Sequence, residues 1–454
     1  MNSLIWFRND LRIQNNLALK KAIESSDQLE AVYIMPNDNE WFIGEAAQWY
    51  LNQSLGILEK ELKALGIRLN YYRNNASEIL NKKITKENIE AIFCNQSSNP
   101  IQIKIDEDVL SHLPQNCQLN YVGRDTILDS ETLHTKTGTY YKIYTPFLNK
   151  FNQVITQNKL EQQLCQITKK QYFNLSERTT YLQDLQLLPK NKWYLKFEKY
   201  WEPGEKNAQK NIGQFIQNHL HEYDKLRDYV SEDATAKISA AINFGEISTA
   251  DLYQTLDQVL LTSNASCELG IHTFMKQIIW REFAKYSLYH FPDAYLKSVY
   301  QYCDNEVLWN GDDILLELWK SSRTGIDIID SAMHQLYEEG WMHNRSRMVV
   351  ASFLTKNLGI HWLKGARWFW NNLVDGDLAI NTMGWQWVAG TAPYSAQFNR
   401  IFNPIIQEQK YDIKNKYITK YLPSQPILNQ PIVSISESSR AAKKRYIKIK
   451  QENY

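Results

Sequence analysis

Cysteine is scarce and unorganised in this chain. Cys94, Cys117, Cys165, Cys267 and Cys303 are odd in number, scattered, and nowhere paired as CxxC. That argues against a zinc or iron–sulfur site, so no metal is expected, and it points to the reduced thiols of a cytoplasmic protein. Long hydrophobic runs are missing as well: none approaches the roughly 20 residues that a membrane helix needs. The opening MNSLIWFRNDLR has neither the basic head nor the apolar stretch of a secretory leader. Neither sign of charge dominates, since 51 Lys and Arg meet 50 Asp and Glu for a net +1. A nucleic-acid partner would need a local basic surface rather than a basic chain. No GxGxxG follows the first β-rich run, so the dinucleotide fingerprint is absent. No internal repeat is found.

What is present describes a soluble, aromatic-rich protein: 43% of residues are hydrophobic and 22% charged, over 454 residues. That length holds two or more domains, each with its own core. Over residues 1–130, SLIWF (3–7), AVYIM (31–35), IRLNYY (67–72), AIFC (91–94) and LNYV (119–122) read as strands. Between the second and third, Leu51, Leu55, Leu58, Leu62 and Leu65 recur at helical spacing, with Gly66 as the stop. Strand–helix alternation of this kind implies an α/β domain with a doubly wound parallel sheet. Residues 131–190 break the pattern, and the Gln-rich KFNQVITQNKLEQQLCQITKK reads as part of a long connector across the surface. From 191 to 454 the helical period takes over. Ile326, Ile329, Met333 and Leu336 mark one helix that ends at Gly340. Nine of the fourteen tryptophans fall between Trp280 and Trp387. An all-helical second domain is expected there.

Three segments of the second half carry unusual chemistry. Gln277, Trp280 and Arg281 stand at i, i+3 and i+4 and share a helix face, as do Asn344, Arg347 and Met348. Each face offers an amide, a guanidinium and a large soft or aromatic group. Partly buried faces with satisfied polar groups would look the same, but two of them beside Asp375-Gly376-Asp377, Asn381, Trp385 and Trp387 suit a pocket for a planar heterocycle. A calcium loop is a poor alternative, because LAIN after the second aspartate supplies no further oxygens. In ATAKISAAINFGEIS (234–248), Thr235 and Ser239 bracket a helix start, which is either an ordinary cap or a phosphate site.

The runs FMKQIIWREF, GWMHNRSRM and DGDLAINTMGWQW resemble the flavin- and DNA-binding core of the photolyase/cryptochrome family, and the resemblance extends over nearly the whole chain. A class I cyclobutane pyrimidine dimer photolyase is the member it is most similar to. The resemblance implies FAD held by a helical domain. Thr235, Ala236, Lys237, Ile238 and Ser239 match the strip that takes its pyrophosphate, although Ala236 replaces a usual serine. Tyr223, Phe274, Arg281, Arg347, Asp375, Gly376, Asp377 and Asn381 match positions around the flavin. Asp375 would pair with Arg347, Asp377 would address the polar edge of the ring, and Asn381 would face N5. An amide there favours the fully reduced flavin, which a carboxylate would oppose by like charge. Trp309, Trp362 and Trp385 match the tryptophan chain that carries an electron to photoexcited oxidised flavin. Trp368 and Trp370 have no such match and read as core.

The implied reaction is light-driven electron transfer from reduced FAD into a pyrimidine dimer, which has been extruded from UV-damaged DNA. Trp280 and Trp387 would stack on the dimer, with Gln277, Asn344 and Met348 beside it. Arg227, Arg345 and Gln407 would contact the nearby DNA. Gln277 departs from the glutamate of most dimer-repairing relatives and is common in (6-4) photolyases and animal-type cryptochromes. Those (6-4) enzymes, however, place two histidines where this chain has Asn344 and Met348. His343 is adjacent but about 100° around the helix. Tyr394 stands where relatives usually have aspartate. An antenna pigment would sit in the first domain. The choice between a folate, a deazaflavin, a flavin and none stays open, with Gln102 where folate binders carry glutamate. The basic end RAAKKRYIKIKQENY reads as a solvated helix face. Repair by a cytoplasmic monomer is the first expectation. A blue-light photoreceptor, a (6-4) photolyase and a flavin-free nucleic-acid-binding module are the alternatives.

Overall fold

A computed structural model describes residues 1–37, 41–158, 172, 180–395, 400–422, 428 and 430–452. Cys165 and the Gln-rich run beyond 158 lie outside the described residues. Five strands form β1 (Asn2–Phe7), β2 (Gln28–Met35), β3 (Arg68–Arg73), β4 (Ala91–Gln96) and β5 (Gln118–Arg124). All pair in parallel, in the order β3-β2-β1-β4-β5. Four helices alternate with them: α1 (Leu17–Ser25), α2 (Glu45–Ala64), α3 (Ala76–Glu87) and α4 (Pro100–His112).

The order reverses beside β1, so right-handed crossovers put helices on both faces. Alternate side chains make the two cores. Leu4, Trp6, Val32, Ile34, Ile92 and Cys94 pack on Leu80, Ile84 and Val109 of α3 and α4. The opposite parity, Ile5, Phe7, Ala31, Leu69 and Tyr71, is equally buried. Tyr71 donates there to Leu55 O of α2 at 3.3 Å. This burial on both faces explains why the strands read as continuous apolar runs rather than alternating ones. Local signals set the ends: Asn16, Asn75 and Asn99 cap α1, α3 and α4 by accepting from Leu19, Glu78 and Ile101 N. Gly66, at φ +83, closes α2.

Fourteen more α-helices follow among the described residues. They begin with α5 (Tyr144–Asn158), α6 (Glu205–Asn218), α7 (Tyr223–Leu226), α8 (Ser239–Asn243) and α9 (Thr249–Thr262). Next come α10 (Ala265–His290), α11 (Asp313–Lys320), α12 (Asp327–Glu339), α13 (Asn344–Ser352) and α14 (Trp362–Asn372). The last are α15 (Leu378–Ala389), α16 (Pro404–Tyr411), α17 (Lys416–Tyr421) and α18 (Ile435–Glu452). As expected, Gly340 ends α12 in the left-handed region, at φ +63.

The chain forms two compact units that interleave along it. A sheet unit comprises Met1–Leu133, Lys150–Asn218 and Ala236–Glu268, and a helical unit comprises His134–Asn149, His219–Thr235 and Leu269–Tyr454. This differs from three consecutive segments divided at 130 and 190. Within the expected surface connector, Tyr144–Asn158 forms α5, whose Phe147 and Phe151 are buried four residues apart. Phe147, Leu148, Phe151, Val154 and Ile155 recur at helical spacing, a period that the polar residues between them mask in a reading by composition. Arg445, expected on a solvated face of α18, instead donates to Lys356 O at 3.2 Å.

Within the sheet unit, the segment around residues 236–248 is pinned by backbone and charge. Gly245 (φ +69) is pressed so closely on Asn9 that an added Cβ would lie 2.1 Å from its carbonyl. Glu246 accepts from Tyr50 Oη at 2.7 Å, Ser54 Oγ at 2.5 Å and Gly204 N at 2.7 Å. Burial pushes its carboxyl from the ordinary 4.5 up to about 7, although the three donors pull the other way. Between those values the folded protein keeps a proton that the unfolded chain has released, so stability falls as pH rises through this window. In urea unfolding, wild type should lose up to about 3 kcal/mol between pH 4.5 and 7. Glu246→Gln should flatten that loss; parallel profiles for the two proteins would contradict this account.

Candidate functional site

Two ion pairs, one buried and one partly buried, organise the helical unit. Arg281 on α10 donates from Nη2 to Asp377 Oδ2 at 2.6 Å. Arg347 on α13 donates to both Asp375 oxygens, at 3.0 and 2.9 Å. Asp377 also caps α15, accepting from Ile380 N at 3.0 Å. Burial alone would raise its carboxyl. Arg281, Lys285 and the N–H groups of Ile380 and Ala379 outweigh that and hold it below the usual carboxylate range. Gly376 leaves little room between the aspartates: an added Cβ would meet Leu373 O at 3.3 Å.

One turn into α15, Asn381 is buried and donates to Ala366 O at 3.0 Å. α14 and α15 approach closely there, because a Cβ at Gly365 would lie 2.2 Å from the Trp385 ring. Most of α15 is buried, yet Ile380, Gly384 and Trp387 form an uncovered stripe. Apart from its chain neighbours and the backbone of α15 itself, no atom of the described residues lies within 4 Å of a Cβ built at Gly384. Arg281 Nε is buried with no acceptor among the described residues. Tyr223, at the start of α7, meets Phe274 of α10 edge to face at 5.2 Å. An open stripe, an unanswered donor, a neutral amide and two fixed carboxylates fit a planar heterocycle with a polar edge.

The expected phosphate strip is divided. Thr235 belongs to the helical unit, while Ala236, Lys237, Ile238 and Ser239 belong to the sheet unit. Lys237 takes φ +47, and α8 starts at Ser239 without a side-chain cap. Thr235 thus stands four residues ahead of the helix.

Of the three tryptophans, Trp309 donates from Nε1 to Cys303 O at 2.6 Å, and Trp362 donates to Ser298 Oγ at 2.9 Å. His361 stands between them, with ring centroids 4.8 Å from Trp309 and 5.8 Å from Trp362. Its Nε2 lies 3.1 Å from Asp304 Oδ1. Trp385 packs on Phe369 at 4.9 Å and on Trp319 at 6.2 Å. Trp370 is buried, and Trp368 is half-buried with Lys320 Nζ 5.2 Å over its ring.

Among residues expected near DNA, Trp280 is half-buried and stacks on Tyr144 at 3.5 Å with planes 7° apart. Gln277 donates back to Thr273 O of its own helix at 3.1 Å. Asn344 Nδ2 lies 3.9 Å from Met348 Sδ. Arg345 pairs with Asp228 at 2.7 Å, and Arg227 lies over the Tyr223 ring at 5.5 Å. The Arg400 guanidinium backs one face of Trp387, 5.5 Å from its ring centroid. Gln407 on α16 keeps a buried Oε1 without a donor among the described residues. Tyr394 is buried, edge-on to Phe283 at 6.3 Å. Sequence reading had passed over Tyr144, His361, Asp228 and Arg400. Only Tyr144 had a signal, the IYTPF run with proline in the first turn of α5.

In the sheet unit, Gln102 donates to Asp106 Oδ1 at 2.9 Å, and Asp106 also takes Arg8 Nη1 at 2.6 Å. Its amide is therefore engaged within the protein. Among the described residues, no group of three or more His, Cys, Asp or Glu could hold a metal ion, and no helix is long and apolar enough to cross a membrane.

Removing one partner of a buried pair strands the other charge. Arg281→Gln should cost about 3–5 kcal/mol in urea unfolding. The double variant with Asp377→Asn should cost less than Arg281→Gln alone; additive losses would mean that the pair is not coupled.

Comparison with known proteins agrees with this geometry. Residues 274–454 match the FAD binding domain of DNA photolyase, and residues 3–165 match the DNA photolyase domain. A deoxyribodipyrimidine photo-lyase of Agrobacterium fabrum is 33% identical over 422 residues, 92% of this chain and 86% of the relative. Cryptochrome-2 of Arabidopsis thaliana is 28% identical over 434 residues, 93% of this chain and 70% of the relative. The crystal structure of a bacterial class III photolyase from Agrobacterium tumefaciens has a TM-score of 0.88 at 30% identity, covering 99% of this chain and 98% of its own. With its parallel-sheet N-terminal domain and helical FAD-binding domain, the chain belongs to the photolyase/cryptochrome family.

Proposed function

We propose that this protein repairs cyclobutane pyrimidine dimers in DNA, using blue light and bound FAD. Arg281, Arg347, Asp375, Asp377 and Asn381, with Tyr223 and Phe274, would hold the flavin. Reduced FAD, when bound and excited, supplies a low-potential one-electron donor that no side chain offers. The protein's own task is to orient, to desolvate and to receive the lesion.

The observation that carries the choice of lesion is the chemistry of the α13 face. Asn344 and Met348 meet there, and neither can pass a proton. His343 is turned inward, and its Nδ1 accepts from Arg345 N at 3.1 Å. Burial, with Arg345 and Arg347 beside it, pushes its imidazole down to about 4 against the pull of Asp228. A (6-4) product needs an acid for its proton transfer; a cyclobutane dimer, which splits by electron transfer, does not.

Photolyases take their target out of the base stack, and a dimer that pairs poorly costs less to extrude. Trp280 and Trp387 would receive it. Tyr144 already covers one face of Trp280, so the dimer would stack on the other, in a plane fixed before DNA arrives. The name of the Agrobacterium fabrum relative supports repair. The solved relative is named a class III photolyase, and nothing in the site favours class I over it.

Oligonucleotides bearing either lesion, incubated with reduced protein in blue light and in darkness, test the reading. Light-dependent loss of the cyclobutane dimer alone is expected. Loss of the (6-4) product alone would overturn the lesion choice. Loss of neither, from protein that still binds FAD, would favour a photoreceptor. The open stripe on α15 gives a separate check. Gly384→Leu should fold but retain less FAD by absorbance after gel filtration, whereas Gly384→Ala should retain it and gain about 1 kcal/mol of stability. Equal flavin content in both variants would place the cofactor elsewhere.

A further inference from the structure

Asp228 follows Arg227 in sequence and faces Arg345 across the fold. Its Oδ2 lies 2.7 Å from Arg345 Nη2, and its Oδ1 lies 3.8 Å from Arg227 Nε. One carboxylate thus spans, through separate oxygens, the two arginines assigned above to DNA. Each guanidinium lies over an aromatic ring, Arg345 over Tyr411 at 4.4 Å and Arg227 over Tyr223 at 5.5 Å. Tyr411 is held to the same segment: Val230 N donates to its carbonyl at 3.0 Å, and Tyr229 meets its ring edge-on at 6.0 Å. Arg345 Nε is buried with no acceptor among the described residues. The arginine is therefore not saturated by the aspartate.

We infer that Asp228 is a built-in stand-in for a DNA phosphate, holding Arg227 and Arg345 apart and oriented in the free protein and weakening their grip on any phosphate that arrives. The inference rests on the DNA-repair reading above. The physical argument has two parts. A carboxylate, like a phosphate, presents two oxygens that accept from separate guanidiniums. Asp228 is half-exposed, and pairs at such sites are worth little in water, so an incoming phosphate can exchange with it. Its charge then remains beside the bound phosphate and opposes it. Phosphate contacts carry no sequence or lesion information, so the opposition falls equally on damaged and undamaged DNA. What it sets is the time spent on the undamaged excess, which is the relevant competitor in a genome.

The test is dark binding of the FAD-loaded protein to a dimer-bearing duplex and to the same duplex undamaged, followed by fluorescence anisotropy across a salt series. Wild type, Asp228→Asn, Asp228→Glu and Arg345→Gln are compared, each with its flavin absorbance and melting temperature measured. Asp228→Asn should bind both duplexes about two- to fivefold tighter, with the log–log salt dependence steeper by roughly 0.9. Asp228→Glu should follow wild type, and Arg345→Gln should weaken both duplexes. If Asp228→Asn weakens binding while Arg345→Gln also weakens it, the aspartate is only a scaffold and the inference falls, although the DNA-facing reading stands. If Arg345→Gln changes neither affinity nor salt dependence, the DNA-facing reading of this surface fails and the inference with it.

Discussion

A guanidinium and a carboxylate buried together are costly to desolvate, and each is tolerable only while the other stays in place. The helical unit is built around two such pairs, the buried Arg281–Asp377 and the partly buried Arg347–Asp375, only a glycine apart on one strand of chain. Because Asp377 also caps α15, the pair that neutralises its charge determines where that helix begins. Every later residue on α15 then inherits its azimuth. Asn381 is directed at the Ala366 carbonyl, Trp385 into the Phe369–Trp319 cluster, and Gly384 and Trp387 onto the uncovered stripe. Helix α10, which brings Arg281, brings Phe274, Gln277 and Trp280 in the same register. Electrostatic pairing thus places the groups whose chemistry matters, and apolar packing holds them there.

The aromatic side chains divide between support and exposure. Trp319, Phe369 and Trp385 make a closed cluster in which each ring is buried. Trp280 and Trp387 are half-open and each is backed on one side, by Tyr144 and Arg400 respectively. Backing of this kind lowers the entropy that a ring loses when a ligand stacks on it. His361 extends the same economy to the Trp309–Trp362 pair. Its ring lies within 6 Å of both indoles, and Asp304 fixes it.

Much of this was legible in the chain, for identifiable reasons. The strands are short β-branched and aromatic runs between helical periods, so all five emerge within a few residues of their ends. Asp375-Gly376-Asp377, Arg281 and Arg347 stand out because charge and aromatics are rarely mixed so densely in a core. Tyr144, Asp228, His361 and Arg400 are individually ordinary. Their importance comes from neighbours that the fold brings to them, as Trp280 is brought to Tyr144 from 136 positions away. The interleaving of the units is invisible for the same reason. Composition changes along the chain in three blocks, whereas packing returns Lys150–Asn218 and Ala236–Glu268 to the sheet. Helix α5 carries a helical period in Phe147, Leu148, Phe151, Val154 and Ile155, but the glutamines and asparagines between them give the run a polar composition that reads as a connector.

That interleaving bears on how the protein is made. All five strands have been translated by Arg124, yet the carboxylate that Tyr50 and Ser54 address, Glu246, is encoded more than a hundred codons later. A nascent chain therefore carries an unfinished sheet unit while two pieces of the helical unit, His134–Asn149 and His219–Thr235, emerge with no partner yet synthesised. The sheet unit has all its segments only once Glu268 has been made, and the helical unit waits on the long segment from Leu269 onward. Separating the halves for independent expression would accordingly require re-routing the polypeptide, because no single cut leaves both of them whole.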